Sequence, residues 1–463
     1  MTVFATYVRG VVHRDMEKQR LTRSNLFFIG SMLFGMFFGA GNLIFPVFLG
    51  QASGKNVIPA LIGFLVSGVG LPLLGVAAIG LSRTDGVFSL AKKVGRPYAF
   101  FFTIALYLCM GPLFATPRLA TISYEIGLST FIPQRHAKLA LLVFSVAFFV
   151  VAWLLARRPG RIMTYVGKVL TPAFLVALAL LLAFAIIFPL GHFNQDMVAT
   201  AYRHTPLVKG FTDGYMTMDA LASLAFGVVV VNAIRELGVT KPKAIATDTI
   251  KAGGIAAILM AVLYAALAFM GLTSLGQFDF ASNGGVIIAE ISNYYFGTLG
   301  SILTAIIVIL ACLKTGIGLL TSFGDTAVEL FPRLKYRKVV FWAALLSLII
   351  ANVGLNEILA ISEPVMYFLY PLAIVLILTA LAEHLFADDR VVYVMTTIFT
   401  FVPALLDGLN ALPAGLKGGW VHQVLGWGQY LPGFSMGLGW ICPAIVGFSI
   451  GWIWHGLRRY KRQ

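Results

Sequence analysis

Apolar runs of roughly 20 residues recur along the whole chain, separated by short polar segments, and no hydrophilic stretch is long enough to form a domain of its own. A helix needs roughly 20 predominantly apolar residues to cross a ~30 Å hydrocarbon layer. The pattern therefore predicts an all-α polytopic membrane protein of about twelve transmembrane helices, near residues 25–50, 57–81, 99–123, 138–156, 164–190, 214–232, 249–276, 294–323, 339–355, 358–381, 391–406 and 431–455. The connections are short, so successive helices run antiparallel. The longest polar stretch on the outer side, roughly 191–213, separates the fifth and sixth spans.

Two spans should not be smooth helices. Gly39-Ala40-Gly41-Asn42 sits near the centre of the first, where helix propensity is lowest. Irregular backbone at membrane depth is tolerated only where it faces protein or a cavity. Five spans later, Met218-Asp219-Ala220 precedes Phe226-Gly227-Val228-Val229-Val230-Val231-Asn232, which puts Gly227 at mid-membrane. Interrupted helices at matching positions are what an inverted five-helix repeat produces. The chain then divides into a cytoplasmic segment 1–24, a first repeat 25–190, an outside loop with the second repeat 191–390, and two accessory helices with a basic tail 391–463. The competing reading is that these glycines serve close helix packing rather than unwinding.

Composition agrees with the span pattern: 59% of residues are hydrophobic, 11% are charged and the mean hydropathy is +0.89. The net charge of +15 is topological, with no nucleic-acid partner implied. With the N-terminus on the cytoplasmic side, inside segments carry 26 of the 34 lysines and arginines and outside loops carry six, while Arg118 and Lys314 fall within spans. Such a bias predicts both termini on the cytoplasmic side of the membrane. The three cysteines lie in apolar spans and give neither a disulfide framework nor a metal spacing, and the seven histidines form no ligand pair. The basic N-terminus runs into a long span without a convincing cleavage site, so no cleaved signal peptide is expected. No Gly-x-Ser-x-Gly, HExxH or ATP-binding motif is present, which argues against an enzyme and against an ATPase subunit, and no cofactor is implied. A channel, the alternative from another class, would show charge rings or a repeated filter segment.

A half-helix beginning near Gly41-Asn42 aims free backbone N–H groups and its positive dipole end at a carboxylate. Carbonyls around Phe226 and Gly227 suit an ammonium, and Phe38, Phe226 and Val228 suit an aliphatic side chain. That combination points to an apolar amino acid.

The stretches Phe38-Gly39-Ala40-Gly41-Asn42-Leu43-Ile44-Phe45-Pro46, Gly111-Pro112-Leu113-Phe114-Ala115-Thr116-Pro117-Arg118, Val230-Val231-Asn232-Ala233 and Ala311-Cys312-Leu313-Lys314-Thr315 resemble the bacterial branched-chain amino acid:cation symporters, over nearly the whole chain. The resemblance implies a five-plus-five inverted repeat of the LeuT type and import of leucine, isoleucine or valine with H⁺ or Na⁺, other neutral amino acids remaining as alternative substrates. By analogy with that fold, Gly39, Ala40, Gly41, Asn42, Phe226, Gly227, Val228 and Val230 contact substrate, with Thr116 as a further candidate.

The fold also implies a sodium site between the first and eighth helices, formed here by Gly35, Phe38, Ala311, Lys314 and Thr315. A lysine stands where a sodium-binding member has a hydroxyl. Lys314 lies ~15 Å along a helix from the cytoplasmic end near Gly324, and its stem reaches only ~6 Å. The ammonium is therefore expected to occupy the sodium position, bonded to the Gly35 and Phe38 carbonyls and the Thr315 hydroxyl, with H⁺ as coupling ion. Glu363 is an alternative proton site, with a hydrated carboxylate near the outer interface as the plainer expectation. Asp219 and Glu125 read as capping or pairing groups near the outside, Arg118 as a member of a structural ion pair, and Asn42 and Asn232 as partners of unwound backbone.

Overall fold

The computed structural model describes residues 20–82, 84, 86–157, 171–191 and 197–460. Most of segment 1–24 and the basic residues Arg158, Arg161 and Lys168 lie outside them. Among the described residues the chain is helical apart from turns and one isolated bridge. Helices of at least eight residues are α1 (Arg23–Phe37), α2 (Ala40–Ser53), α3 (Val57–Leu65), α4 (Leu71–Leu81), α5 (Arg96–Leu108), α6 (Ala115–Gly127), α7 (Ala137–Ala156), α8 (Thr171–Ile187) and α9 (Pro206–Asp213). They continue with α10 (Asp219–Glu236), α11 (Pro242–Thr273), α12 (Gly284–Phe296), α13 (Thr298–Leu330), α14 (Tyr336–Ala351), α15 (Leu355–Leu381), α16 (Arg390–Asn410), α17 (Gly419–Gly428) and α18 (Ile441–Tyr460).

Each predicted span carries helix. Among the described residues seven stretches are long and apolar enough to cross a bilayer, and eight are when the bent pair of α9 and α10 counts as one. That is fewer than the twelve read from hydropathy, because the other spans are broken, shorter or less apolar. The outer surface has the character of a lipid-facing one. Leu139, Val143, Val176, Ile258, Val262 and Ile349 each expose more than half their surface, and so extensive an apolar exterior marks a membrane contact.

Inside, helices approach until backbones touch. α11 packs along both α1 and α2, and glycines permit it: a Cβ on Gly50 would lie 1.9 Å from the Ala268 carbonyl oxygen, and one on Gly271 2.0 Å from that of Val47. Without a hydrophobic force between helices in lipid, this close van der Waals contact is what holds them. It also fixes where the start of α2 sits. Replacing Gly271 by valine is expected to cost more than the ~1–3 kcal/mol of ordinary overpacking, since the obstacle is backbone. Gly254→Ala, with nothing within 4 Å of the added carbon, should behave as wild type. Size-exclusion profiles and thermal unfolding of the two variants in detergent check this, and equal behaviour would contradict it.

Candidate functional site

Helix regularity in the first span ends at Phe38 (φ −70°, ψ 92°) and Gly39 (φ −112°, ψ −162°), both extended. A side chain at Gly39 would crowd the Thr315 hydroxyl at 3.0 Å, so the bare backbone is needed there. Asn42 closes the gap: its Oδ1 accepts the Gly39 N–H at 3.0 Å. The role expected for Asn42 as a partner of unwound backbone is thus observed. Its Nδ2 in turn donates to Asp219 Oδ2 and the Tyr264 hydroxyl, and Tyr264 donates to Asp219 at 3.0 Å. Pro46 lacks the N–H that would have reached the Asn42 carbonyl.

The sixth span breaks elsewhere than expected. α10 runs unbroken through Phe226 and Gly227, and the interruption lies at Met218, which adopts the left-handed conformation (φ 64°, ψ 10°) between the 3-10 turn Gly214–Thr217 and α10. The segments on either side meet at 46°. Gly227 is a packing glycine: a Cβ there would sit 3.0 Å from Ile79. Val228 faces Gly86 and Val230 is core. These three therefore stand away from the cavity described next. Asn232 is exposed, near the far end of α10 from the break at Met218. Asp219, expected near the outer interface, is instead only 2% exposed and belongs to the centre of the site.

A third helix is interrupted as well. Between α5 and α6, the π turn Cys109–Leu113 carries non-helical Gly111 (φ −94°, ψ −120°) followed by Pro112. The three breaks enclose a cavity of ≈ 30 Å³. Gly39, Gly41, Asn42 and Phe226, expected at the substrate, and Thr315, expected at the ion position, line it together with Arg118, Met218 and Asp219, which were not expected there. Ala40 opens α2. Thr116 is buried with its hydroxyl turned to the Met110 carbonyl at 3.4 Å and does not line the cavity. Met36, Met110, Leu119 and Leu319 give the walls apolar surface. A space of this size holds about two waters, so the conformation is closed around the site.

Arg118 forms no ion pair among the described residues. Its Nη2 donates to the Met216 carbonyl at 3.0 Å, its guanidinium lies 5.8 Å from the Phe45 ring centre, and Nη1 is buried without a partner. The structural ion pair expected of it is replaced by a backbone contact to the turn ahead of α10.

Lys314 is fully buried. Its Nζ donates to the Gly35 carbonyl at 2.9 Å, an oxygen in the last turn of α1 that the break deprives of its helical donor. Three rings surround the ammonium, with centres 4.7 Å (Phe174), 5.8 Å (Phe34) and 5.8 Å (Phe38) away. Thr315 does not accept from Lys314 as expected; its hydroxyl lies 3.5 Å from the Phe38 carbonyl and donates to it. Ala311 is buried one turn earlier on α13. The aromatic enclosure was not read from the sequence, since Phe174 comes from α8. Glu363 is apart from all this, exposed at a second cavity of ≈ 370 Å³ that Lys209, Tyr367 and Asp407 also line. Glu125 is half-buried at the far end of α6.

Comparison with known proteins places this geometry. The profile of the family described as branched-chain amino acid transport protein matches residues 22–458. The branched-chain amino acid permease BrnQ of Lactobacillus delbrueckii subsp. lactis is 46% identical over 439 residues, covering 94% of this chain and 97% of that protein. The permease BraB of Bacillus subtilis is 45% identical over 436 residues (94% and 96%). The branched-chain amino acid transport system 2 carrier protein of Pseudomonas aeruginosa is 40% identical over 427 residues (92% and 95%). Among solved structures, inward-facing Mhp1 superposes with a TM-score of 0.57 at 12% identity, over 95% of each chain. MhsT in complex with L-phenylalanine gives 0.53 at 14%, over 93% of this chain and 99% of that one. Those two establish the fold as the LeuT-like one, with helices one and six interrupted here at Phe38–Gly39 and Met218. The chain is a multi-pass membrane protein and belongs to the branched-chain amino acid transport protein family.

Proposed function

We propose that the chain is a secondary transporter that imports leucine, isoleucine and valine across a bacterial inner membrane, driven by protons, with Lys314 standing where a sodium-coupled relative holds its ion. The names of its relatives and the apolar walls of the central cavity support the substrate. The 26-to-6 bias of basic residues supports cytoplasmic termini. A single observation carries the coupling: a buried ammonium bonded to the Gly35 carbonyl, on the helix-one and helix-eight pair where the fold puts a cation.

A lone lysine at mid-helix costs about 2.5–3.5 kcal/mol to insert in lipid. The Gly35 carbonyl and the three rings offset part of that, a desolvated cation–π contact being worth about 2 kcal/mol. One ammonium and one Na⁺ carry the same charge, so a lysine there removes the need for the ion. Its side chain can release and rebind a proton, which a bound Na⁺ cannot. Import by this route needs no ATPase subunit and no cofactor.

In proteoliposomes, radiolabelled leucine is expected to accumulate under an inward proton gradient in Na⁺-free buffer, with little change on adding Na⁺. A strict Na⁺ requirement would assign the chain to the sodium-coupled alternative. Lys314→Thr restores a hydroxyl at the sodium position. It is expected to abolish proton-driven accumulation, and uptake should then respond to Na⁺. Proton-driven uptake that survives at more than about half the wild-type rate in Lys314→Thr would remove Lys314 from the coupling step.

A further inference from the structure

Two electropositive groups converge on one side of the central cavity. The first is the start of α2, whose leading N–H groups have no intrahelical acceptor and whose dipole is positive there. The second is Arg118, 4% exposed, which reaches the same place from α6. The two are adjacent: a Cβ on Gly41 would lie 3.4 Å from Nη2. A positive charge beside a positive helix end repels unless an anion lies between. The Met216 carbonyl is a neutral partner for Nη2, and Nη1 has none. Asp219 lines the same cavity, but Asn42 and Tyr264 hold its carboxylate, and among the described residues the ion pairs of the chain involve Lys93, Lys209 and His455 instead.

We propose that the Arg118 guanidinium, together with the first turn of α2, holds the carboxylate of the substrate, and that Asp219 faces its ammonium. This rests on the reading above that the substrate is an apolar amino acid, and adds to it the group that reads the carboxylate. The geometry suits the task. Met216 and Phe45 brace the guanidinium of a residue that lines the cavity, and its Nη1 is the buried donor left without a partner. Arginine is the residue whose fork matches a carboxylate. With charge held at both ends, the tail is left to Met36, Met110 and Leu119, so length and branching are judged by apolar contact alone.

The test is equilibrium binding of radiolabelled leucine to the purified protein, with leucinamide and 3-methylbutylamine as competitors that keep the tail and lack the carboxylate. Wild type is expected to favour leucine over both by about 100-fold, the loss usual when a buried charge partner is removed. Arg118→Gln should weaken leucine by a similar factor and leave leucinamide within about threefold, so the preference collapses. Arg118→Lys, which keeps the charge without the fork, should fall between. A folded Arg118→Gln that binds leucine within threefold of wild type overturns the proposal. So does an equal loss of leucine and leucinamide, which is what a merely structural role gives. Should Arg118→Gln fail to fold, the wild-type competition decides alone, and amide or amine competing as well as leucine overturns the proposal. If wild type binds no branched-chain amino acid, the substrate reading falls. The same comparison with alanine, methionine and phenylalanine against their amides then judges Arg118 separately, and binding of none of them overturns both.

Discussion

A helix broken inside a bilayer leaves backbone donors and acceptors that no water can reach, and each must find a partner in the protein. Three side chains meet this demand at Phe38–Gly39. The Gly39 N–H, which in a continuous helix would serve the Gly35 carbonyl, goes to Asn42, and Lys314 takes over Gly35. The Phe38 carbonyl, stripped of its donor at Asn42, receives Thr315. Each such bond is worth about 0.5–1.5 kcal/mol net, whereas a buried group left without one costs about 1–3 kcal/mol. The network exists chiefly to avoid that larger cost. α13 is thereby tied to the gap in the first helix.

The same network joins the two breaks. Asn42, having satisfied Gly39, uses its amide nitrogen on Asp219 and Tyr264, so the gap in helix one is bonded to the first residue of α10 and to the middle of α11. α11 cannot drift from α2, because Gly50 and Gly271 put their backbones in contact. A change at the start of α10 is therefore felt at Gly39 through two hydrogen bonds. The site is a shared object of three interrupted helices and two continuous ones.

The first break was legible because its residues are poor at everything a membrane helix needs: Gly39, Gly41 and Asn42 within four positions, then Pro46. The second is not where the sequence puts it, because glycine serves packing as readily as unwinding. Gly227 is there to let Ile79 approach, and the real interruption falls on Met218, a residue whose type gives no warning of a left-handed backbone. That conformation ordinarily costs a non-glycine residue about 1–2 kcal/mol, so tertiary contacts impose it, and a one-dimensional reading has no access to them. Lys314 against Gly35 was legible as a spacing between two motifs. The ring of Phe174 behind it was not, because α8 has no polar feature to tie it to the site. Arg118 is visible as a charge in a span, but a sequence offers a carboxylate on a neighbouring helix as its partner and gives no sign of the backbone carbonyl at Met216.

Two buried cations stand on opposite sides of one gap, and the helix dipole assigns them different work. Lys314 sits at the C-terminal end of α1, where orphan carbonyls give negative potential that favours a cation. Its charge is compensated by the fold itself, by Gly35 and the faces of three rings. Arg118 sits at the N-terminal end of α2, where orphan N–H groups give positive potential and the fold offers its second nitrogen nothing. Exchange of the two residue types would be unfavourable on both counts, because an ammonium lacks the fork and a guanidinium overfills the aromatic enclosure. One end of the break is thus closed by the protein's own charge and the other is left short of an anion. In the binding mode proposed above, a zwitterion supplies that anion together with an ammonium for Asp219. On that proposal the dipole of α2 and the Arg118 guanidinium act in the same sense on the substrate carboxylate, and neither alone completes the site.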